Sequence, residues 1–514
     1  MRQLLTINPT GLMNRRDLVT RIGDDQVLTR ENFRVIGLKD KRNKKIPGSD
    51  RYNTTSVGSD PVVWMFRYYT KLLKRKNFFF SGGGLYHIDD SGNTTLIIGT
   101  FNPEAYPCAV EVRVSDNDTL LFSEGVDTGM YSHDGNDAQN FAKENAVTLN
   151  FVWMISHLDR VFAFEEDSEE LHYSKNLEFT NYTDSTDAGT IIIGAKRGSK
   201  IQQIIVHNET IYIFKTDSIW VLEGDSPSNF VVREVHPYMG LAARRSLVST
   251  GTVLIGYMSD YEVYSFGGTV DSMKLLSYNI ALGGDLTKDL VPIVNRDRVD
   301  QINAEYHNGL YRMAFTLSGE TQNKWEYCFD TTNSTDFFTK DNNVSSYLKY
   351  IRYPDKNELV TGRSDVGRLM HQYRGINFDN QDTALAMHFK IQTKFVGLGE
   401  EPRNFRVKKV WIEFGALGTL PMPVKYYLDT RHAASDVRSD SFTTKGEQKS
   451  VTSFIKVNAQ SAFTSRQVLK WGGAKGQNIS LAIDEQIRDV DLEFSTMRAE
   501  VITKNLKRSE KVGV

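Results

Sequence analysis

A short antiparallel hairpin recurs along this chain and limits what the chain can fold into. In the segment 207–225, HNETIYIFKTDSIWVLEGD, two runs of β-branched and aromatic residues flank the turn Lys215-Thr216-Asp217. Runs of this kind around a short polar turn predict two paired strands. The same pattern predicts hairpins in the segments 78–87, 120–131, 161–173, 253–266, 310–329 and 359–371.

The spacing of the hairpins predicts the architecture. Their starts lie roughly 40 to 55 residues apart, which is the length of a four-stranded propeller blade. Blades bury their faces only against neighbouring blades, so a row of them closes into a ring. We therefore expect an all-β fold with a β-propeller of about seven blades, within a range of about six to eight. Two stacked sandwiches with similar hairpins are the alternative, because no WD or kelch signature marks the repeats.

Three regions of the chain differ in composition and in strand pattern. Residues 1–60 are polar and carry the charged run 39–45, KDKRNKK, so we expect an extended N-terminal arm. Residues 61–378 hold the hairpins and form the predicted propeller. Residues 379–514 contain longer alternating strands and predict a C-terminal antiparallel β lobe, either a sandwich or a sheet packed on the propeller. Helical periodicity is limited to the segments 61–74, 137–146 and 244–248.

Composition narrows the function classes. A formal net charge of −2 over 514 residues gives no long-range attraction to nucleic acid or to anionic membrane. The two cysteines, Cys108 and Cys328, are too few for a disulfide framework or a CxxC metal site, which indicates synthesis in a reducing compartment. The N-terminus lacks a signal-peptide core, and no apolar run is long enough to cross a bilayer. We expect synthesis in the cytoplasm and no membrane insertion.

The sequence contains no motif for catalysis or for metal or cofactor binding. The ten histidines are scattered singly, without HExxH or paired ligand spacing. His133-Asp134-Gly135-Asn136-Asp137 fits a turn closed by side chains, and the acidic run 165–170 fits a solvated hairpin tip. Asp90-Ser91-Gly92-Asn93-Thr94 resembles the heart of a sialidase Asp box, but it occurs once and lacks the flanking residues. We therefore expect no catalytic residue, no metal site and no cofactor.

One basic stripe is a candidate for phosphate contact. A helix over 61–74 and the residues after it would align five cations near three aromatic residues; the cations are Arg67, Lys71, Lys74, Arg75 and Lys76. The simpler interpretation is a solvated helix face whose aromatic residues pack inward.

Three segments resemble the β-propeller tail nozzle or tail hub proteins of short-tailed bacteriophages, also described as tail tubular or packaged-DNA stabilisation proteins. The first is GLMNRRDLVTRIGDDQVLTRENFRV with the later Ile46-Pro47-Gly48, which is similar to the opening of that family. The second is 211–260, which resembles its best-marked blade at Gly224-Asp225, Glu234, Gly240 and Arg245-Ser246. The third is IQTKFVGLGEEPRNFRVKKVWIEF, which is similar to the strands that lead into its outer sheet. Tyr261-Glu262-Val263 departs from the family, which more often has a Gly-containing turn there.

The resemblance implies a virion structural protein without catalysis. Such proteins form a six-fold ring below the portal and adaptor, close the tail, retain packaged DNA and form the conduit for DNA ejection. The implied partners are further copies of the chain, the adaptor or head-to-tail connector, tail fibre or needle proteins, and genomic DNA in transient non-specific contact. A conduit should hold DNA weakly, because each Lys or Arg contact to phosphate would slow its passage.

Subunit contacts are expected from the N-terminal arm. A segment of this polarity becomes ordered only through contacts elsewhere, so we expect 11–48 to pack along its own lobe or a neighbour. The candidate residues for contact with a neighbouring subunit or the adaptor are Arg15, Arg16, Lys39, Lys41, Arg42, Lys44 and Lys45. Two other functions stay open, a carbohydrate-binding or carbohydrate-cleaving propeller and a tail-fibre or receptor-binding module.

Overall fold

The computed structural model describes residues 2–14, 25–39, 41–69, 75–114, 117–126, 129–133, 141–194, 198–284, 290–352, 356–374, 378, 387–397, 405–417, 420–429, 453–457, 465–470, 475–476, 478–487 and 491–503. In this part of the chain the regular structure is strand, apart from two short 3-10 helices, Val270–Ser272 and Arg296–Gln301. The expectation of an all-β protein is confirmed.

Five short strands precede the propeller. They are β1 (Arg2–Ile7), β2 (Val27–Glu31), β3 (Phe33–Ile36), β4 (Arg42–Lys45) and β5 (Ser49–Arg51). The predicted N-terminal arm therefore contains strands, and β1, β2, β4 and β5 pair with distant parts of the chain.

The first five blades are consecutive four-stranded antiparallel sheets. Blade 1 comprises β6 (Val62–Tyr69), β7 (Arg75–Ser81), β8 (Gly84–Ile88) and β9 (Thr94–Ile98). Blade 2 comprises β10 (Cys108–Val114), β11 (Asn117–Ser123), β12 (Met130–His133) and β13 (Phe141–Lys143). Blade 3 comprises β14 (Phe151–His157), β15 (Arg160–Glu165), β16 (Glu170–Tyr173) and β17 (Gly189–Ile192). Blade 4 comprises β18 (Ile201–His207), β19 (Thr210–Lys215), β20 (Ile219–Glu223) and β21 (Val231–His236). Blade 5 comprises β22 (Val248–Ser249), β23 (Leu254–Tyr257), β24 (Val263–Phe266) and β25 (Lys274–Leu275).

Two further blades complete the ring. Blade 6 comprises β26 (Asn303–His307), β27 (Leu310–Thr316), β28 (Asn323–Asp330) and β29 (Thr335–Lys340). Blade 7 comprises β30 (Val344–Arg352), β31 (Lys356–Arg363) and β32 (Leu369–Gln372), and its fourth strand is β5 from the N-terminal region. Ser346 Oγ donates to Val62 O (2.5 Å), which joins blade 7 to blade 1. The predicted propeller is confirmed, with seven blades in the described residues.

The segment 207–225 is part of blade 4, as the hairpin pattern predicts. It contains β19 and β20, which pair from Ile211–Leu222 to Phe214–Ile219. Alternate side chains of β19, such as Ile211 and Ile213, are buried against blade 3. Each blade buries one face against the next blade. A single blade would leave that face exposed and be unstable, whereas the ring covers it and is stable.

The C-terminal strands build the second part of the molecule. They are β33 (Met387–Thr393), β34 (Val396–Gly397), β35 (Phe405–Leu417), β36 (Leu420–Asp429), β37 (Ser453–Val457), β38 (Ser465–Lys470), β39 (Lys475–Gly476), β40 (Asn478–Ile487) and β41 (Asp491–Thr503). One sheet has the order β3-β4-β41-β35-β38, with β1 on β41 and β39 on β35. The other continues from blade 6 in the order β29-β2-β33-β40-β36-β37, with β34 on β40.

The two sheets of this lobe meet through aromatic side chains. The Phe33 ring lies 5.2 Å from Phe389, which is in the other sheet, and 5.2 Å from Phe494, each edge to face. All three side chains are buried. The lobe core therefore depends on a residue from the N-terminal region as well as on residues from the C-terminal one.

A buried arginine anchors the N-terminal strands to the propeller. The Arg30 guanidinium donates to Pro9 O (3.0 Å), Gly11 O (2.8 Å) and Asp336 O (3.0 Å). Asp336 belongs to β29 of blade 6, and its Oδ1 accepts from Met13 N (2.7 Å). These bonds satisfy backbone carbonyls that would otherwise be buried without donors.

The three helix predictions are wrong where the structure describes them. The segment VVWMFRYY is strand β6, because β-branched and aromatic residues fit a pleated, half-buried surface better than a helix. Residues 141–143 form β13, and 244–248 is a loop that ends at β22. The basic stripe is consequently no helix face. Arg67 is buried and its Nε donates to Asn77 Oδ1 (3.0 Å), whereas Lys71 and Lys74 lie outside the described residues.

Candidate functional site at the mouth of the propeller channel

The 237–247 loop, which joins blade 4 to blade 5, marks one face of the ring. Leu241 N donates to Lys215 O (2.8 Å), and Leu241 pairs with Met258 in an isolated bridge. Lys215 ends the second strand of blade 4 and Met258 follows the second strand of blade 5. The loop therefore lies beside the turns between second and third strands, and we refer to this side as the loop face.

Arg245 crosses the channel at the loop face. Its Nη1 donates to Val63 O (3.0 Å) in blade 1, and its Nη2 donates to Pro107 O (2.8 Å), immediately before blade 2. Its own carbonyl accepts from Ala304 N (2.8 Å) in blade 6. In a ring of seven, blade 5 lies opposite blades 1 and 2. A side chain that joins these blades lies across the channel at its mouth, and Arg245 is only 8% exposed there.

The electrostatics keep this guanidinium charged. Burial lowers the pKa of Arg245 to about 10, which still leaves the side chain protonated at neutral pH. The Tyr106 ring lies 5.0 Å from the guanidinium carbon, a distance that permits a cation–π contact. Burial and the negative charge of Asp300 raise the pKa of Tyr106 to about 12, so the phenol stays neutral.

Arg244 makes the matching contacts on the other side of the mouth. Its Nε donates to Gln202 O (3.1 Å) in blade 4, and its two terminal nitrogens donate to the carboxylate of Glu166 (2.7 and 2.5 Å) in blade 3. Burial opposes ionisation of Glu166, but the bonds from Arg244 outweigh it and lower the pKa of that carboxyl. The acidic run 165–170 is therefore more than a solvated tip, since Glu166 and Glu169 face Arg244 and Lys215.

Backbone and side-chain bonds hold the two arginines in place. Ser246 Oγ donates to Ala243 O (2.7 Å) and accepts from Tyr257 N (3.1 Å). Tyr311 Oη donates to Ser246 O (2.9 Å), and Gln203 Nε2 donates to Leu247 O (3.1 Å). Blades 4, 5 and 6 thus fix a loop whose arginine side chains reach blade 1, the start of blade 2 and blade 3.

The two arginines obstruct the mouth of the channel. The terminal nitrogens of Arg244 and Arg245 already donate to protein oxygens, so they offer little to an incoming anion. Among the residues that the structure describes, no group of histidine, cysteine or acidic residues could hold a metal ion. In the same residues, no helix is long and apolar enough to cross a membrane.

Three histidines share one position near the opposite face. His157, His207 and His307 end the first strands of blades 3, 4 and 6. Each is followed by two residues with positive φ, such as Asn208 (49°) and Glu209 (61°), which is the geometry of a type I′ hairpin turn.

Each of these rings contacts the following blade. His207 Nδ1 lies 3.4 Å from Ser249 Oγ, and the His307 ring stacks on Tyr373 with 5.5 Å between the ring centres. Burial lowers the pKa of His157, although its ring donates to the backbone carbonyl of Glu209 in blade 4. Considering histidines singly missed this set. Aligning SHLDR, VHNET and YHNGL by their two-residue turns would have found it.

The other motifs singled out in the sequence have structural roles. Asp89 Oδ1 accepts from Ser91 N (2.9 Å) and Asn93 N (2.8 Å), which closes the turn that resembles an Asp box. Gly92 O of this turn accepts from Thr54 N (3.2 Å) in the segment that follows β5. His133 packs against the Phe141 ring, with 4.8 Å between the ring centres, and residues 134–137 lie outside the described part.

The structure places the predicted assembly residues in different surroundings. Arg15 and Arg16 lie outside the described residues. Lys39 is exposed, Lys41 and Lys44 are half-buried, and Arg42 Nη1 lies 2.8 Å from Glu493 Oε1. Lys45 is only 2% exposed, because it lies on the side of β4 that faces the subunit interior. A surface contact through Lys45 does not fit this burial, and the other candidates stay predictions.

Comparison with known proteins gives no family. No protein-family model matches the chain, and no curated protein matches it in sequence. The virginiamycin B lyase from Staphylococcus aureus is 9% identical, with 66% of this chain and 98% of that chain covered and a TM-score of 0.37. The N-terminal domain of Nup159 is 10% identical, with 67% and 98% covered and a TM-score of 0.41.

A third solved structure is the β-propeller domain of Cps50 (Swd1) from Myceliophteria thermophila. It is 8% identical, with 64% of this chain and 98% of that chain covered and a TM-score of 0.37. At such scores these likenesses carry no conclusion about function. The propeller itself is established by the strand pairing described above.

Proposed function

We propose that this chain is a structural subunit of a bacteriophage tail. Copies of it form a six-fold nozzle or hub ring below the portal and adaptor, close the tail, retain packaged DNA and line the path of ejection. The resemblance of 11–48, 211–260 and 391–414 to tail nozzle and tail hub proteins is the starting point. The protein acts in the virion without catalysis.

The observation that carries the proposal is the arginine side chain that lies across the channel of the single propeller. Arg245 spans the mouth from blade 5 to Val63 and Pro107, and it is almost fully buried. A propeller closed in this way supports its neighbours as a solid block and leaves no route for a polymer along its own axis. DNA then runs along the axis of the assembled ring, between copies of the chain.

The charges at the mouth agree with a structural role. The Arg244–Glu166 pair is bidentate and links blade 5 to blade 3. Arg312 and Glu326, both buried, form a second bidentate pair between β27 and β28 in blade 6. Buried charges that satisfy each other rigidify a fold and leave few free groups for a substrate.

Electron microscopy of virions tests the proposal. Virions labelled with an antibody against this chain should carry the label at the tail, below the head. Particles assembled without the chain should have intact heads but release their DNA. Absence of the label from purified virions would reject the tail assignment.

A second measurement separates the tail role from a glycan-cleaving one. The purified protein should release no reducing sugar from host surface glycan. Sugar release that disappears when Asp90 is changed to Asn would favour the carbohydrate-cleaving alternative and count against a purely structural subunit.

A further inference from the structure

The hairpin formed by β3 and β4 presents an apolar side chain to solvent. Leu38 lies at its tip, after Gly37, and is 73% exposed. Lys39 follows it directly and Lys41 lies on the return side of the turn. An exposed large apolar side chain on a fixed hairpin costs free energy in water, so a protein gains by covering it.

The hairpin is held rigidly. Arg34 Nε donates to Asp330 Oδ2 (2.8 Å) in blade 6, and Arg42 Nη1 donates to Glu493 Oε1 (2.8 Å) in β41. The pairing of β3 with β4 runs from Phe33–Lys45 to Ile36–Arg42. The two strands that carry the tip are therefore fixed to the subunit, which reduces the conformational entropy lost when the tip is buried.

A groove of about 370 Å³ lies elsewhere on the same subunit, between β2 and the loop that enters blade 6. Its walls are mainly apolar and include Leu28, Leu317, Trp325 and Phe338. Val291 lies at its edge and is 44% exposed, so the groove is open to solvent. One wall carries the carboxylate of Glu31, which lies 3.4 Å from His388 Nδ1.

The hairpin tip and the groove complement each other. The tip offers a leucine followed by Lys39-Asp40-Lys41, a sequence with one net positive charge, and the groove offers apolar walls next to a carboxylate. The volume of the groove is ample for one leucine side chain and part of the adjacent turn. The tip cannot fill the groove of its own subunit, because the paired strand β3 separates Leu38 from Glu31.

We propose that the Leu38 tip of each subunit docks in this groove of a neighbouring copy. The proposal rests on the ring of copies proposed above and names the contact that builds it. A knob on one surface that fits a pocket on another surface of the same chain makes a head-to-tail contact. Such contacts close into a ring when the rotation per subunit allows it and otherwise give an open filament.

Disulfide trapping tests the contact directly. Two full-length variants are prepared, Leu38→Cys and Val291→Cys, and mixed under mild oxidation at a protein concentration at which the unmodified chain assembles. The native thiols Cys108 and Cys328 are buried and do not compete. The mixture should give a disulfide-linked dimer, and neither variant alone should give it, because the two positions meet only across the contact.

A matched control uses an exposed aromatic residue. Tyr238 is 85% exposed and lies on the loop between blades 4 and 5. A Tyr238→Cys variant mixed with Val291→Cys should give no cross-link above background. A cross-link from Tyr238 that equals or exceeds the one from Leu38 overturns the assignment of the tip.

A second measurement separates this proposal from the ring itself. Sedimentation of the unmodified chain and of Leu38→Asp is compared, with circular dichroism as the check that both are folded. Assembly that is at least tenfold weaker in the variant supports the docking contact. If the variant assembles as well as the unmodified chain, the docking contact is wrong and the ring survives. If the unmodified chain forms no oligomer in solution or in virions, both proposals fail.

Discussion

The propeller and the lobe are both β-structures with apolar cores, yet they are assembled from the sequence in opposite ways. In blade 4 each strand pairs with the next one along the chain, from β18 to β21. In the lobe, Phe33 contacts Phe389 and Phe494, which come from the other end of the chain. Pairing between distant segments requires closing a long loop before any contact forms. The lobe should therefore respond to damage near the N-terminus far more than the ring does.

Deletion of residues 1–48 is the strongest test of this difference. It removes β1 to β4 but keeps β5, the strand that closes blade 7. The lobe loses the strand between β29 and β33 and its Phe33 side chain, so it should unfold and become sensitive to protease. The propeller should survive as a resistant fragment.

Limited proteolysis with mass spectrometry measures the outcome, and deletion of residues 1–60 provides the comparison. The longer deletion also removes β5, so blade 7 loses its outer strand and the resistant fragment should disappear. Equal protease resistance of the lobe in the full chain and in the 1–48 deletion would refute the dependence described here.

Phe33→Ala tests the lobe core with a single change. The side chain is fully buried between two other aromatic rings, so its truncation leaves a cavity and should cost about 3 to 5 kcal/mol of unfolding free energy. Urea unfolding followed by tryptophan fluorescence measures the loss. The conservative Phe33→Leu should recover more than half of it, and an equal loss for both variants would contradict a packing effect.

The contribution of the junction between lobe and ring to the unfolding free energy should depend on pH. Burial raises the pKa of Asp336 from 3.8 to about 7, and the neighbouring Arg30 offsets only part of this shift. Between pH 3.8 and about 7, the Asp336 carboxyl is protonated in the folded chain and ionised in the unfolded chain. The unfolding free energy should therefore fall as pH rises from 4 to 7 and stay level above, with a contribution of at most about 4 kcal/mol.

Asp336→Asn isolates this contribution. The amide keeps an oxygen for the Met13 N–H but carries no charge. The variant should be more stable than the unmodified chain at pH 8 and nearly equal to it at pH 4, by urea unfolding at each pH. A stability difference that is the same at both pH values would show that Asp336 does not titrate in this range.

The difference between ring and lobe also explains how much the sequence predicts. The propeller follows from local patterns, because each hairpin is visible within about twenty residues. The segment VVWMFRYY was mistaken for helix because its apolar residues are nearly continuous, and periodicity alone cannot separate the two structures there. The lobe strands from the N-terminus carry polar residues such as Arg30 and Lys45, which are buried only through partners far along the chain. No local pattern records those partners.

The sequence gives no sign of the channel mouth either. In the sequence, Arg245 stands out only for its place in a resemblance, since nothing adjacent to it reveals that its guanidinium reaches blade 1 and the start of blade 2. Tertiary closure of the ring creates that contact. The recurring histidines are the opposite case, because their position before each two-residue turn is visible once the blades are aligned.

Arg245→Ala gives the smallest of the expected effects and tests whether the ring depends on a long-range contact besides the pairing of β5 in blade 7. It leaves the carbonyls of Val63 and Pro107 without their donor, so we expect a loss of about 2 to 3 kcal/mol of unfolding free energy. Arg245→Lys places one ammonium there and should recover part of the loss.

The control is Arg233→Ala, which breaks an exposed pair with Glu223 and should cost less than about 1 kcal/mol. Urea unfolding of the three variants ranks them. If Arg245→Ala costs no more than Arg233→Ala, the ring is held by packing between blades and by the pairing of β5, and the contrast with the lobe is sharper than proposed. A loss as large as that of Phe33→Ala would mean that the ring, too, depends on contacts that its hairpins do not reveal.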